Sequence, residues 1–261
     1  MFQHHLDSIE NVTKKLRDRE EVQAVIVCGS IAHGFASADS DVDLMILVPE
    51  LEYLDRTERG DLQYFERDSC TYDRGYIDGK YISPAFLREA AVKGSEPARF
   101  AFEGAWASYS QMPELDLQLK AIARYPVENK LANIPRFYGQ FETWKWYCEE
   151  ALRLDNRYLL QHSVANLILF AGRLFLAHNE TLYPYHKWFL RVLETVSDKP
   201  SGLMTSIHGL LENPNREGIQ QFYEMIKDYR QWELNGVHWP SMFMRDCELK
   251  WLDGEVPVAE L

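Results

Sequence analysis

The chain has 261 residues, 46% hydrophobic and 26% charged, a globular composition with room for two modest domains. Its 28 Lys and Arg against 40 Asp and Glu leave a net charge of −12 with no basic cluster. That balance disfavours a nucleic-acid partner and suits a cationic small molecule.

No basic, apolar leader opens the chain at Met1–Asp7, and the longest apolar stretch, 164–177, is short for a bilayer and carries Asn166 and Arg173. The four cysteines are dispersed, without zinc-ligand spacing. The expectation is a cytoplasmic protein with free thiols and no membrane partner.

Leu6, Ile9, Val12 and Leu16 recur at helical spacing and predict a helix over 6–20. Two β-rich runs follow, Val22–Cys28 and Val42–Val48, joined by the Gly/Ser/Ala/Asp stretch 29–41. Residues 49–70, opening with Pro49 and rich in charge, predict a helix and a loop. Tyr76–Ser83 reads as a third strand ended by Ser83-Pro84, and Ala85–Ala91 as a helix. Residues 94–112 are aromatic and small, broken at Gly94 and Gly104, and a helix is expected over 112–124. Beyond Tyr125-Pro126 the patterns are helical: 134–154, 156–179, 186–197 and 215–234. Pro135 fits a first helical turn, while Pro184, Pro200 and Pro214 fall between helices. The tail, 236–261, shows no clear period. The fold expected is an α/β half, residues 1–125, followed by an all-helical half, residues 126–261.

The chemistry concentrates where the first two strands meet. Asp41 and Asp43 head the second apolar run at i and i+2, which in a strand sets both carboxylates on one face, close enough to share a metal ion. Gly29-Ser30, at the end of the first run, offers backbone N–H groups and a hydroxyl to a phosphate. A turn capped by Asp39, Ser40 and Asp41 explains Asp39 easily and Asp43 poorly, because Asp43 sits inside an otherwise apolar strand where an idle charge is costly. The combination points to a nucleoside triphosphate held through Mg²⁺.

Gly29-Ser30-Ile31-Ala32-His33-Gly34 with Ser40-Asp41-Val42-Asp43-Leu44 resembles the signature of the DNA polymerase β-type nucleotidyltransferase superfamily. That signature is Gly-Ser, about ten residues, then Asp-x-Asp or Asp-x-Glu, with a third carboxylate on a later strand. The resemblance implies an α/β (α+β) catalytic domain with a small mixed sheet, two Mg²⁺ ions, and ATP or another NTP as co-substrate. It also implies that the third acid binds the second metal or takes the acceptor's proton. Asp78, on the Tyr76–Ser83 strand and 35 residues after Asp43, is the candidate, with Asp73 as the alternative.

In the helical half, Arg173 interrupts a strongly apolar helix, where an arginine needs an anionic partner. Lys187 lies just past a Tyr-Pro turn at a helix start. Both could hold a triphosphate leaving group. An internal ion pair for Arg173 (with Glu149, Glu150 or Asp155) and simple solvation of Lys187 remain open. With Pro184 between them, the pair resembles the aminoglycoside nucleotidyltransferases, particularly the streptomycin/spectinomycin adenylyltransferase group, whose helical-domain Arg and Lys meet the ATP phosphates. Pro97-Ala98-Arg99 with Glu103 adds a fainter likeness to that group.

The implied reaction is Mg²⁺-dependent transfer of AMP, or another NMP, to a hydroxyl of a small aminoglycoside-like acceptor, releasing pyrophosphate. Trp144, Trp146, Tyr147 and Tyr158, interleaved with Glu142, Glu149, Glu150 and Asp155, are candidate acceptor contacts, with core packing as the alternative. Two other readings stand beside this one. Arg173 and His178 form an Arg-x₄-His spacing that resembles the ribonuclease motif of HEPN helical domains, which accompany nucleotidyltransferases in toxin–antitoxin pairs acting on protein or RNA. A catalytically silent nucleotide sensor is the other.

Overall fold

In the computed structural model, residues 1–232, 234, 236 and 238–254 are described. The chain divides into two compact units, Met1–Tyr125 and Pro126–Leu261.

The first unit runs α1 (Gln3–Arg17), β1 (Ala24–Cys28), α2 (Gly29–Ala32), β2 (Val42–Leu47), α3 (Glu50–Arg59), β3 (Gln63–Glu66), β4 (Ile77–Ile82), α4 (Pro84–Lys93), α5 (Glu96–Phe100), β5 (Trp106–Ser110) and α6 (Leu115–Ile122). Its five strands form one sheet in the order β3-β4-β2-β1-β5. β2 and β4 pair in parallel and the other neighbours antiparallel, so the sheet is mixed.

The apolar runs of β1 and β2 are continuous because both sheet faces are covered. Alternate residues divide between two cores. Val25, Val27, Leu44 and Ile46 pack with Ile9, Val12 and Leu16 of α1. Ala24, Ile26, Cys28, Met45 and Leu47 face the other way, onto Leu87 of α4 and Leu115, Leu119 and Ile122 of α6. Arg99 ties this second layer together. It is buried, and its guanidinium donates to the carbonyls of Ala91 (2.8 Å), Gly94 (3.0 Å) and Ile122 (3.3 Å), closing the C-terminal ends of α4 and α6. Orphan carbonyls at helix ends need such donors.

The second unit is helical. It holds α7 (Val127–Arg153), α8 (Arg157–His178), α9 (Phe189–Thr195), α10 (Leu203–Glu212), α11 (Arg216–Tyr229), α12 (Trp239–Asp246) and a 3₁₀ turn, Lys250–Asp253. α7 and α8 form its core hairpin, joined by Leu154, Asp155 and Asn156, with the Asn156 side chain capping α8 through Leu159 N–H at 3.0 Å. By length and composition α8 is long and apolar enough to cross a membrane, and half of that stretch is packed inside the protein.

Several elements differ from the sequence expectation. Pro135 is not in a first turn: α7 begins eight residues earlier and carries the proline inside. β3 forms where only a loop was expected, β5 lies in the aromatic stretch 94–112, and α10 fills the segment between Pro200 and Pro214. Lys187 occupies a turn just ahead of α9 rather than the helix itself. Part of the tail is ordered as α12 and the 3₁₀ turn, while residues 255–261 lie outside the described residues.

Candidate functional site

The site is built on three adjacent strands. In register, Cys28 of β1 faces Asp43 of β2, and Asp43 faces Asp78 of β4. Residues opposite one another share a sheet face, so the two carboxylates lie side by side on neighbouring strands. Asp41, two residues before Asp43, belongs to the same face. Their joint field is felt by Cys28, whose thiol is pushed up to about 12 by burial first and then by the charges of Asp43, Asp78 and Asp41, with Lys80 opposing. All three acids are partly exposed. The alternative third acid, Asp73, lies in the turn before β4, its side chain 98% exposed and beside Arg74. The structure thus brings Asp78, and not Asp73, into the carboxylate row.

The Gly-Ser pair closes the other side. Gly29 has φ +64°, and a Cβ there would lie 2.6 Å from Asp43 Cβ and closer still to its carboxylate. Only glycine lets α2 start against that acid. Ser30 is buried, and its Oγ has no hydrogen-bond partner among the described residues. A buried hydroxyl left in that state is waiting for an acceptor. A Cβ at Gly104, which has φ +69°, would lie 2.3 Å from the Ala32 carbonyl oxygen, and His33 Nδ1 bonds the Glu103 carbonyl at 2.7 Å, so the loop after α5 holds closely to α2.

Further residues of the site were not marked by the sequence pattern. The Tyr76 hydroxyl bonds Asp41, and this bond, more than the neighbouring charges, raises the phenol above its ordinary range. Gln63 Nε2, from β3, donates to Asp78 Oδ1 at 3.0 Å. The Tyr72 hydroxyl donates to the Ser40 carbonyl at 2.6 Å and His4 Nε2 meets the Ala38 carbonyl at 2.8 Å, anchoring the loop that delivers Asp41. These contacts depend on strand register and loop return, for which local sequence carries no signal.

Among the described residues no three His, Cys, Asp or Glu side chains form a ready metal cage. Mg²⁺ does not require one: it commonly takes one or two carboxylates and fills its shell with phosphate oxygens and water. The paired acids, the orphan Ser30 hydroxyl and the glycine that permits close approach fit that cation with a polyphosphate.

Arg173 and Lys187 belong to the second unit. The Arg173 guanidinium lies between the rings of Phe137 and Tyr183, 4.3 Å from each centroid. Of its suggested partners, Glu149 pairs with Lys145 and Glu150 with Arg153. Lys187 is exposed, with Nζ 5.2 Å from the Trp188 ring.

The aromatic cluster of α7 is continuous, with the Tyr147 ring 5.3 Å from Trp144 and 4.9 Å from Trp146. Trp144 donates to Gln140 (3.0 Å) and meets the His162 ring, over which Tyr158 also stacks. Trp146 and Tyr147 line a cleft of about 360 Å³ against Trp239, Pro240 and Phe243. Glu142 accepts the Tyr223 hydroxyl. His178, the second residue of the Arg-x₄-His spacing, contacts Asp198 and Arg230.

Residues 9–77 match the family model described as the nucleotidyltransferase domain. The chain carries a nucleotidyltransferase domain. The matched span includes α1 from Ile9 onward, the Gly-Ser pair, Asp41 and Asp43, and it stops one residue before Asp78. Among curated proteins none matches the chain. Among solved structures it is similar to a nucleotidyltransferase-like protein from Exiguobacterium sibiricum 255-15, at 9% identity and a TM-score of 0.48, covering 98% of this chain and 83% of that one.

Proposed function

We propose that the protein transfers a nucleoside monophosphate, AMP from ATP in the first instance, to a hydroxyl acceptor and releases pyrophosphate. The observation that carries the reading is the row Asp43–Asp78 on parallel neighbouring strands, with Gly29 and the orphan Ser30 hydroxyl against its β1 end. Asp41 and Asp43 would hold Mg²⁺, with Asp78 as a further ligand. When bound, the cation neutralises charge on the polyphosphate and so favours displacement at the α-phosphorus.

This chain's own groups do the rest. Ser30 Oγ and the backbone at Gly29 hold the β- and γ-phosphates. Asp78, steadied by Gln63, accepts the proton of the attacking hydroxyl. The Tyr76 phenol lies beside Asp41 and is raised by it above its ordinary range. Arg173 and Lys187 are the cationic candidates for phosphate contact carried by the helical unit, and the effect of Lys187→Ala on the KM for Mg-ATP decides that role.

The net charge of −12 belongs to the whole chain and by itself admits a cationic acceptor such as an aminoglycoside without selecting one. A toxin–antitoxin role built on Arg173 and His178 has less support, since the spacing is short and the chain's net charge of −12 disfavours RNA.

The test is pyrophosphate release from Mg-ATP across aminoglycosides, lincosamides, nucleosides, proteins and RNA, with the Asp41→Asn/Asp43→Asn double variant alongside. Release with one acceptor class, abolished in the double variant, is the expected result. Equal release by the double variant would falsify the assignment. Nucleotide binding with no release from any acceptor would favour a sensor.

A further inference from the structure

An in-line displacement sets the attacking oxygen opposite the leaving group. In this sheet the phosphate-holding pair, Gly29-Ser30, follows β1, and the carboxylate row runs from there through Asp43 on β2 to Asp78 on β4. The acceptor therefore approaches from the far end of the row, the β3 edge. The register continues onto that edge: Phe65 of β3 lies directly opposite Asp78. Phe65 is 54% exposed, unusual for a phenylalanine beside a charged row.

It does not stand alone. The Tyr76 ring is 5.6 Å from the Phe65 ring at an interplanar angle of 32°. The Arg67 guanidinium sits 5.7 Å from the Phe65 ring and 5.6 Å from that of Tyr76. Among the described residues Arg67 has no ion-pair partner, although the protein is strongly acidic. Two rings and a planar cation gathered at the solvent edge of a carboxylate site form a surface on which flat ring systems stack.

We propose that Phe65, Arg67 and Tyr76 are the acceptor platform and that the acceptor is a hydroxyl compound with a planar ring, neutral or anionic. The inference rests on the transferase reading above and narrows its substrate class away from aminoglycosides, which offer no flat ring to stack. The acceptor ring stacks on Phe65 and directs its hydroxyl toward Asp78. The oxygen forms a bond to the α-phosphorus as the α–β bridging bond breaks; its proton passes to the Asp78 carboxylate and the electron pair leaves with pyrophosphate.

The test uses the full chain and three probes: N-acetyl-L-tyrosinamide, adenosine and streptomycin. Ligand-observed NMR in the presence of Mg²⁺ and a non-hydrolysable ATP analogue measures binding without turnover. A ring-bearing probe should bind, and Phe65→Ala should weaken it tenfold or more while Phe65→Tyr restores it and nucleotide affinity stays within twofold. Whether tyrosinamide or adenosine binds better separates a phenolic from a nucleoside acceptor. Streptomycin binding in preference to both rings, or ring binding indifferent to Phe65→Ala, overturns the platform. Pyrophosphate release that survives Asp43→Asn fails the transferase reading instead, and the two failures are read on different measurements.

Discussion

Gly29→Ala tests the site at its tightest point. A side chain at φ +64° costs about 1–2 kcal/mol in backbone strain. The new Cβ would also lie 2.6 Å from Asp43 Cβ, where carbons in contact sit roughly 3.5–4.0 Å apart. Asp43 must therefore retreat by about 1 Å, and a displacement of that size at a reacting centre costs on the order of 100-fold in rate. With an overpacking penalty of about 1–3 kcal/mol added, total destabilisation should reach roughly 2–5 kcal/mol. Gly34→Ala is the control: its φ is +71° but nothing lies within 4 Å of the added atom, so only the backbone strain applies. Urea midpoints give the stability of both variants. Mn²⁺ binding by electron paramagnetic resonance with ATP present, together with pyrophosphate release, reports the site. Gly29→Ala should lose Mn²⁺ binding and about 100-fold in rate under conditions where it remains folded. Gly34→Ala should match the parent in both. Equal losses in the two variants, or a Gly29→Ala protein within a few-fold of the parent, would refute the claim that Gly29 exists to admit the Asp43 carboxylate.

Arg99→Ala should destabilise the protein by about 2–4 kcal/mol, because it strands the buried carbonyls at the ends of α4 and α6. Thermal melts should show the loss while the KM for Mg-ATP stays within twofold, since the guanidinium bonds the carbonyls of Ala91, Gly94 and Ile122 and not the carboxylate row. Burial first, and then the neighbouring His4 charge, holds the His5 imidazole below its ordinary 6.5. As pH falls the unfolded chain therefore takes up this proton before the folded one does. That contribution to stability is complete above about pH 6.5 and declines below it, so urea midpoints should fall from pH 7.5 to 5.5. His5→Phe should flatten the slope, and an unchanged slope would remove His5 from the account. Lys187→Ala should raise the KM for Mg-ATP several-fold; an unchanged value would separate the helical unit from the phosphates.

The strands most legible in sequence are those buried on both faces, while β4, read as Tyr76–Ser83, was marked by its Ser83-Pro84 end. β1 and β2 read as unbroken apolar runs because each neighbouring residue has a core to enter. β3, with the sequence Gln-Tyr-Phe-Glu, buries only Tyr64, and β5 is half-buried along its length, so neither shows a run or a clean alternation. Edge strands are specified by the partner they pair with, which lies elsewhere in the chain. The start of α7 is hidden in sequence by Pro135 for a related reason. Proline usually opens a helix, and only the packing of α7 on α8 makes an internal one tolerable.

The site divides along the same line. Spacing alone states that Asp41 and Asp43 share a face and that a Gly-Ser pair precedes them. It does not state which residue of a strand 35 positions later stands opposite Asp43, because a slip of one residue would turn Asp78 to the other side. That register is set by Ile77 and Tyr81 entering the α1 core, so apolar packing on one face of the sheet fixes the chemistry on the other. The same register carries Gln63 to Asp78 and sets Phe65 beside it. A substitution that moved Ile77 out of its core would therefore disturb the third carboxylate, its amide partner and the exposed ring together, although none of the three contributes to that core.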